Sequence, residues 1–209
     1  MAGWLETLPN WALAWAAVRG HEASVDGAGV RTVDGLGPVE YIVGWPGGDA
    51  DRMADEARSH PGAVLTLVAE DVAAVLGHAA THGLDRVKQA VLLTAPTTEL
   101  ETSSALPENG GLEEAPLDMY DMVEATEFGR PVASGRIRVE EGVAVIGALK
   151  THHPETGPAF GRAVLAALVE EAYVHGAETL YTVVSERQVP GYSDTGWSIA
   201  AHLITVRAP

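Results

Sequence analysis

The residues with the most chemical potential lie in one stretch, Thr151 to Leu168, which reads T-H-H-P-E-T-G-P-A-F-G-R-A-V-L-A-A-L. A short apolar run, Val143 to Leu149, leads into it, and an alanine- and leucine-rich segment continues beyond it. A strand, a glycine-bearing turn and a helix start, in that order, aim backbone N–H groups and the positive end of a helix dipole at one point. That arrangement suits an anion. His152 and His153 beside it have side chains that titrate near neutrality, so either could take a proton from a bound nucleophile, with Glu155 nearby. Glu186, just past the next apolar run, competes for that role. Adjacent histidines on an extended segment point to opposite faces, so the pair does not chelate as a unit, and a solvated loop is the simpler account of both. No metal site is expected. Zinc-peptidase, serine-hydrolase and P-loop readings find no motif support.

Composition narrows the classes further. The 209 residues suffice for one sizeable domain or two small lobes, and a hydrophobic content of 46% fits a packed core. Thirteen basic against 29 acidic side chains give a formal charge of −16. Nucleic acid needs clustered Lys and Arg, and none are clustered, so no nucleic-acid partner is expected. The same acidity works against long-range attraction of a polyanion. No apolar run is long enough to span a bilayer, and the N-terminus lacks the basic start of a signal peptide. There is no cysteine, hence no disulfide, thiol nucleophile or thiolate metal site. A cytoplasmic protein with no membrane partner is the expectation.

The elements that must position the central stretch follow from periodicity. Trp4, Leu5, Leu8, Trp11, Trp15 and Val18 recur at helical spacing, and the tryptophans suit a core or an inter-lobe contact better than a binding wall. Residues 20–38 read as glycine-rich loop with at most one strand near Val30–Val33. A strand at Val39–Val43, a helix at Asp49–Ser59, a strand at Ala63–Ala69, a helix at Glu70–His82 and a strand at Gln89–Thr94 describe an α/β lobe over residues 1–98. Residues 99–121 read as an acidic linker: from Glu99 to Glu127 there are nine carboxylates, while no Lys or Arg occurs between Lys88 and Arg130. Its second reading is a loop that attracts a cationic amine. Residues 122–209 form the second unit, with strands at Met122–Phe128, Pro131–Val139 and Val143–Thr151. A helix runs from Phe160 to His175, and strands at Thr179–Ser185 and Ile199–Arg207 follow. Arg136 and Arg138 share one strand face, either to clamp an anion or, more simply, to pair with local acids.

This second unit resembles the GNAT (N-acetyltransferase) superfamily. The resemblance rests on the strand before the turn, the turn-to-helix junction, a helix ending in His175-Gly176-Ala177, the strand after it, and Tyr192-x-x-x-Gly196-Trp197. It implies a mixed α/β (α+β) fold, with a mostly antiparallel sheet flanked by helices, and echoes weakly in the element order of the first 98 residues. It also implies acetyl-CoA or another acyl-CoA as co-substrate. The pyrophosphate would be held by the turn Thr156, Gly157, Pro158, Ala159, Phe160, Gly161 with Arg162, and pantetheine by the strand end Leu149, Lys150 and Thr151. Tyr192 takes the place of the acid that protonates the departing thiolate.

The turn departs from the family pattern [R/Q]-x-x-G-x-[G/A]. Thr156 stands where Arg or Gln is usual, Pro158 removes an N–H donor, and Ala159 replaces a glycine. Gln188-Val189-Pro190-Gly191 would interrupt the helix that family members place before the tyrosine. The expected function is acyl transfer, most simply acetyl, from acyl-CoA to a small amine, with His152 or Glu186 as base. The alternative is a GNAT fold that has lost coenzyme A and serves in binding, regulation or other small-molecule chemistry. A homodimer is compatible with either.

Overall fold

The computed structural model describes residues 3–152 and 157–209. His153, Pro154, Glu155 and Thr156 lie outside the described residues, so the expectations placed on His153, Glu155 and Thr156 stay with the sequence. The chain begins with helices α1 (Gly3–Glu6) and α2 (Leu8–Arg19), then strands β1 (Glu22–Asp26), β2 (Gly29–Val33) and β3 (Val39–Gly44). Next come α3 (Gly48–Ser59), β4 (Val64–Ala69), α4 (Val72–Thr81) and β5 (Asp85–Pro96). The second part comprises β6 (Gly110–Pro116), β7 (Asp121–Glu127), β8 (Arg130–Glu140), β9 (Val143–Thr151), α5 (Gly157–Val174), β10 (Thr179–Val184), α6 (Val189–Ser193) and β11 (Ser198–Arg207).

The strands form one 11-stranded sheet in the order β1-β2-β3-β4-β11-β5-β10-β9-β8-β7-β6. Only β3–β4 and β9–β10 pair in parallel; the other neighbours are antiparallel. The fold is therefore mixed α/β, with a mostly antiparallel sheet and flanking helices. The same run of elements occurs twice: β3-α3-β4-α4-β5 and β9-α5-β10-α6-β11, each opening with a parallel strand pair joined through a helix. The last strands are exchanged. β11 lies between β4 and β5, and β5 lies between β11 and β10.

Alternation along the strands sorts the core into layers. Ala90 and Leu92 of β5, Leu203 of β11 and Val143 and Val145 of β9 face α2, whose Trp11 is fully buried among them. Val91, Leu93 and Ala95 of β5 face the opposite side, where Phe160, Val164 and Leu168 of α5 cover them. On that same side Ile204 and Val206 of β11 lie under Met53 of α3 and Val75 of α4. Leu8 and Trp11 thus belong to a layer shared by strands from both parts of the chain, which suits the core role read from their spacing. Among the described residues, no helix is long and apolar enough to cross a membrane.

Three segments differ from the expectations. The glycine-rich stretch after α2 is a hairpin of β1 and β2, not a loop with one strand at most. Gly27, at φ 60°, makes its turn, and α3 holds it: Asp49 accepts from the Ala28 N–H at 2.7 Å and Arg52 reaches Asp26 at 2.9 Å. The acidic segment contains β6, which pairs with β7 along the edge of the sheet. Glu113 and Glu114 are exposed there, and charge on an edge strand discourages pairing with another chain. A solvated edge strand and a linker carry the same composition, which is why the sequence pattern did not separate them. Finally, the segment before Tyr192 is helical. Gln188 accepts from the Ser185 N–H and hydroxyl, and Pro190 falls in the first turn of α6, where an N–H has no helical partner to lose.

Candidate active site

The sheet opens between β9 and β10. β9 and β10 pair in parallel from Val143–Thr179 to Ile146–Thr182; then the ladder stops, although β9 runs on to Thr151 and β10 to Val184. A bulge in β9 accompanies the opening. Its register with β8 shifts between Ser134 and Arg136, and Ala148 adopts φ 51°, rare for a residue with a side chain. Gly135 of β8 permits it, since a Cβ there would lie 2.8 Å from Leu149 Cδ2 and 2.6 Å from Leu168 Cδ1. The strand end is thereby turned from its partner, leaving backbone N–H and C=O groups along the opening for an extended ligand to pair with.

Leu149, Lys150 and Thr151 of β9, Gly161, Arg162 and Leu165 of α5, and Gln188 and Tyr192 line a cleft of about 300 Å³ at this opening. Pro158 completes the lining. Six of the expected positions, Leu149, Lys150, Thr151, Gly161, Arg162 and Tyr192, thus meet around one space. Tyr192 packs edge-on against the buried Trp197, with ring centroids 5.8 Å apart. Burial pushes its phenol above the ordinary tyrosine range, so at neutral pH it carries its proton and is equipped to donate it.

The N-terminus of α5 sits tightly on the strand end. A Cβ on Gly157 would lie 2.9 Å from Thr151 Cβ, and one on Gly161 would lie 3.1 Å from Thr151 Cγ2. Both glycines therefore let helix and strand approach, with Thr151 seated between them. No acidic residue occupies the first turn of α5. Pro158 is tolerated in that turn, as Pro190 is in α6, at the loss of one potential anion donor.

Other expected residues lie elsewhere. Phe160 is fully buried in the core under α5, and Ala159 beside it is half-buried. Gly157 contacts Thr151 and is buried. His152 is exposed, with its backbone N–H donated to the Val132 carbonyl at 2.8 Å. Glu186 is exposed and accepts a hydrogen bond from the Gln89 side chain of β5; neither it nor His152 lines the cleft. Arg138 pairs with Glu140 at 2.8 Å. Arg136 donates to the Val18 carbonyl, near the C-terminus of α2, and lies over the Tyr120 ring.

The sequence reading missed Gln188 and Leu165, because nothing in their spacing ties them to the strand end. It also missed a second cleft across Arg162 and Leu165, lined by Glu99, Leu100, Glu101, Ser104, Asp194 and Thr195 among others. Glu99 and Glu101 belong to the acidic segment, and its charge gave the only sequence clue to this cleft.

No family model matches the chain, and no curated protein matches it. Solved structures do. A GCN5-related N-acetyltransferase from Kribbella flavida superposes with a TM-score of 0.65 at 16% identity, covering 93% of this chain and 92% of that one. A tandem GNAT protein from the clavulanic acid biosynthesis pathway gives 0.63 at 13% identity, over 97% and 92%. A protein from Novosphingobium aromaticivorans, described as belonging to the GNAT acetyltransferase family, gives 0.62 at 13% identity, over 98% of each chain. The chain has the fold of the GCN5-related N-acetyltransferases along nearly its full length.

Proposed function

We propose that the protein is an acyltransferase that moves an acyl group, most simply acetyl, from acyl-CoA to a small amine. The opening between β9 and β10, with the protonated Tyr192 at its side, carries this reading. In it, residues 1–98 brace the sheet, residues 99–121 connect, and residues 122–209 hold the reacting groups. The pantetheine arm lies along the bulged end of β9, pairing with its free backbone groups near Leu149 and Lys150. The pyrophosphate lies at the N-terminus of α5, with Arg162 as its nearby cation. The carboxylates Glu99, Glu101 and Asp194 in the adjoining cleft favour a cationic acceptor.

The reaction is direct attack in a ternary complex. The deprotonated amine attacks the thioester carbonyl, the C–N bond forms, the C–S bond breaks, and Tyr192 passes its proton to the departing thiolate. The amine proton leaves to water, or through water to a surface group such as His152 or Glu186, since neither lines the cleft. Calorimetric titration with acetyl-CoA and longer acyl-CoAs tests the donor. Binding that weakens in a Leu149→Arg variant, which fills the opening, supports the reading. Absence of heat and of thermal shift at about 1 mM donor, a weak-binding limit near −4 kcal/mol, removes it and leaves a fold that has abandoned coenzyme A.

A further inference from the structure

A second constellation lies on the first part of the chain, away from the opening. His78 and His82 stand at i and i+4 near the end of α4, a spacing that places two ligands on one helical face. Packing of α3 brings Asp51 to them. His82 Nε2 lies 3.1 Å from Asp51 Oδ1, and His78 Nε2 lies 3.8 Å from the same oxygen. One ligand atom from each residue falls within 4.8 Å of the others. Nitrogen and oxygen ligands bound tetrahedrally at about 2.0–2.2 Å from a zinc ion stand about 3.3–3.5 Å apart, and the observed separations straddle that spacing.

An independent observation points to a ligand. The His78 side chain is only 14% exposed, and its buried Nε2 has no hydrogen-bond partner, because 3.8 Å to Asp51 is too long for one. A buried ring nitrogen left without a partner costs free energy that a cation would recover. The surroundings suit the same occupant. Asp55 Oδ1 lies 3.7 Å from His82 Nδ1, on the far side of the ring from Nε2, and adds a second carboxylate to the charge around the cluster. The Trp45 ring, 5.8 Å from the His78 ring, walls one side. Asp51 is 69% exposed and leaves the remaining coordination position open to water.

We propose that Asp51, His78 and His82 bind a divalent transition cation of the zinc, cobalt or nickel class, clipping α3 to α4. Two imidazoles with one carboxylate select these ions over magnesium or calcium, which demand oxygen ligands. The site shares no residue with the acyl-transfer cleft and stands whether or not coenzyme A binds.

The test uses full-length, tag-free protein stripped with chelator, titrated with Zn²⁺ by calorimetry and with Co²⁺ by visible absorption. One equivalent bound, a raised melting temperature and ligand-field bands are expected. His78→Ala and His82→Ala should each weaken binding at least about 100-fold and remove the bands, since each deletes a ligand. His82 sits at the helix end and is partly exposed, so His82→Ala should keep the metal-free melting temperature and isolate binding from folding. His60→Ala and His175→Ala, exposed histidines each beside a glutamate one turn away, should bind as the unaltered protein does. Absence of binding, binding retained in His78→Ala and His82→Ala, or loss in the His60 or His175 variants overturns the proposal.

Discussion

Two strand–turn–helix junctions, β3–α3 and β9–α5, share their element order and parallel pairing, yet in one the strands stay paired to the turn and in the other they part. The β3–β4 ladder runs to Gly44–Val68 and is prolonged by the Trp45 N–H donating to the Val68 carbonyl at 2.8 Å. Leu5 of α1 packs so closely on Gly44 that a Cβ there would collide with it. The first turn of α3 already carries Asp49 and Asp51, and Asp49 is engaged by the Ala28 N–H and Arg52. Backbone pairing has consumed the strand end, and carboxylates have claimed the helix dipole. At β9 the ladder stops at Ile146, a bulge turns the strand aside, and α5 begins without an acid. The comparison teaches that the repeated order of elements does not make a site. Strand separation, beside a helix whose first turn carries no acid, marks the candidate one.

Removing the proposed proton donor should have the largest effect. Tyr192→Phe keeps the ring on Trp197 but deletes the hydroxyl, so kcat should fall about 10²–10³-fold while donor affinity holds. Steady-state kinetics with a panel of small amines checks this, and an unchanged kcat would strip the open junction of its distinction. The pH profile sharpens it. Since burial raises this phenol's pKa, the donating form is lost only as pH climbs past the ordinary tyrosine value of about 10, so no falling limb from Tyr192 should appear below that.

The next effect concerns the proposed donor loop. Restoring family-like residues with Thr156→Arg, Pro158→Gly and Ala159→Gly should tighten acetyl-CoA about tenfold or more, through one added N–H and one added cation. Calorimetry reads it, and binding gained only in this variant would mark the natural loop as having left coenzyme A. Packing gives a third test. Gly157→Ala drives a methyl into Thr151 Cβ, a fixed part of the strand, and should cost about 1–3 kcal/mol. Gly44→Ala meets the rotatable end of Leu5 and should cost less, up to about 1 kcal/mol. Thermal unfolding of the two variants decides whether the open junction is also the tighter one.

The smallest effect belongs to the β3–α3 junction. Asp49 is held below the ordinary aspartate range, chiefly by the Ala28 N–H and then by Arg52. A depressed carboxyl stabilises the fold at pH above its unfolded value, and that contribution disappears as pH falls through the folded one. Asp49→Asn should therefore lower the melting temperature slightly at neutral pH, with the difference fading below the usual aspartate range. A difference that grows on acidification would contradict the assignment.

Much of this was legible in the chain. Apolar periodicity placed α2, α3, α5 and the strands β3, β4 and β9 to within a few residues, because each buries one face and so repeats at its own period. The Thr151–Leu168 stretch, Tyr192 and the resemblance they carry led to the fold. The β1–β2 hairpin escaped because exposed strands lack apolar alternation, and β6 escaped because an edge strand and a linker are equally solvated. Pro190 read as a helix breaker, since whether a proline falls in a first turn depends on where the helix starts.

What the sequence determined by itself was local: which segments repeat at 3.6 or 2 residues, where glycine and proline punctuate, and that a helix start follows β9. What only the tertiary structure decided was non-local. It exchanged β5 and β11 between the two parts, ended the β9–β10 ladder at Ile146, and carried Asp51 to His78 and His82. It also left Glu186 beside Gln89 and His152 outside the cleft. These outcomes depend on which strand ends find partners and how closely a helix can rest on them. That is a competition among distant residues, and no spacing along the chain records its result.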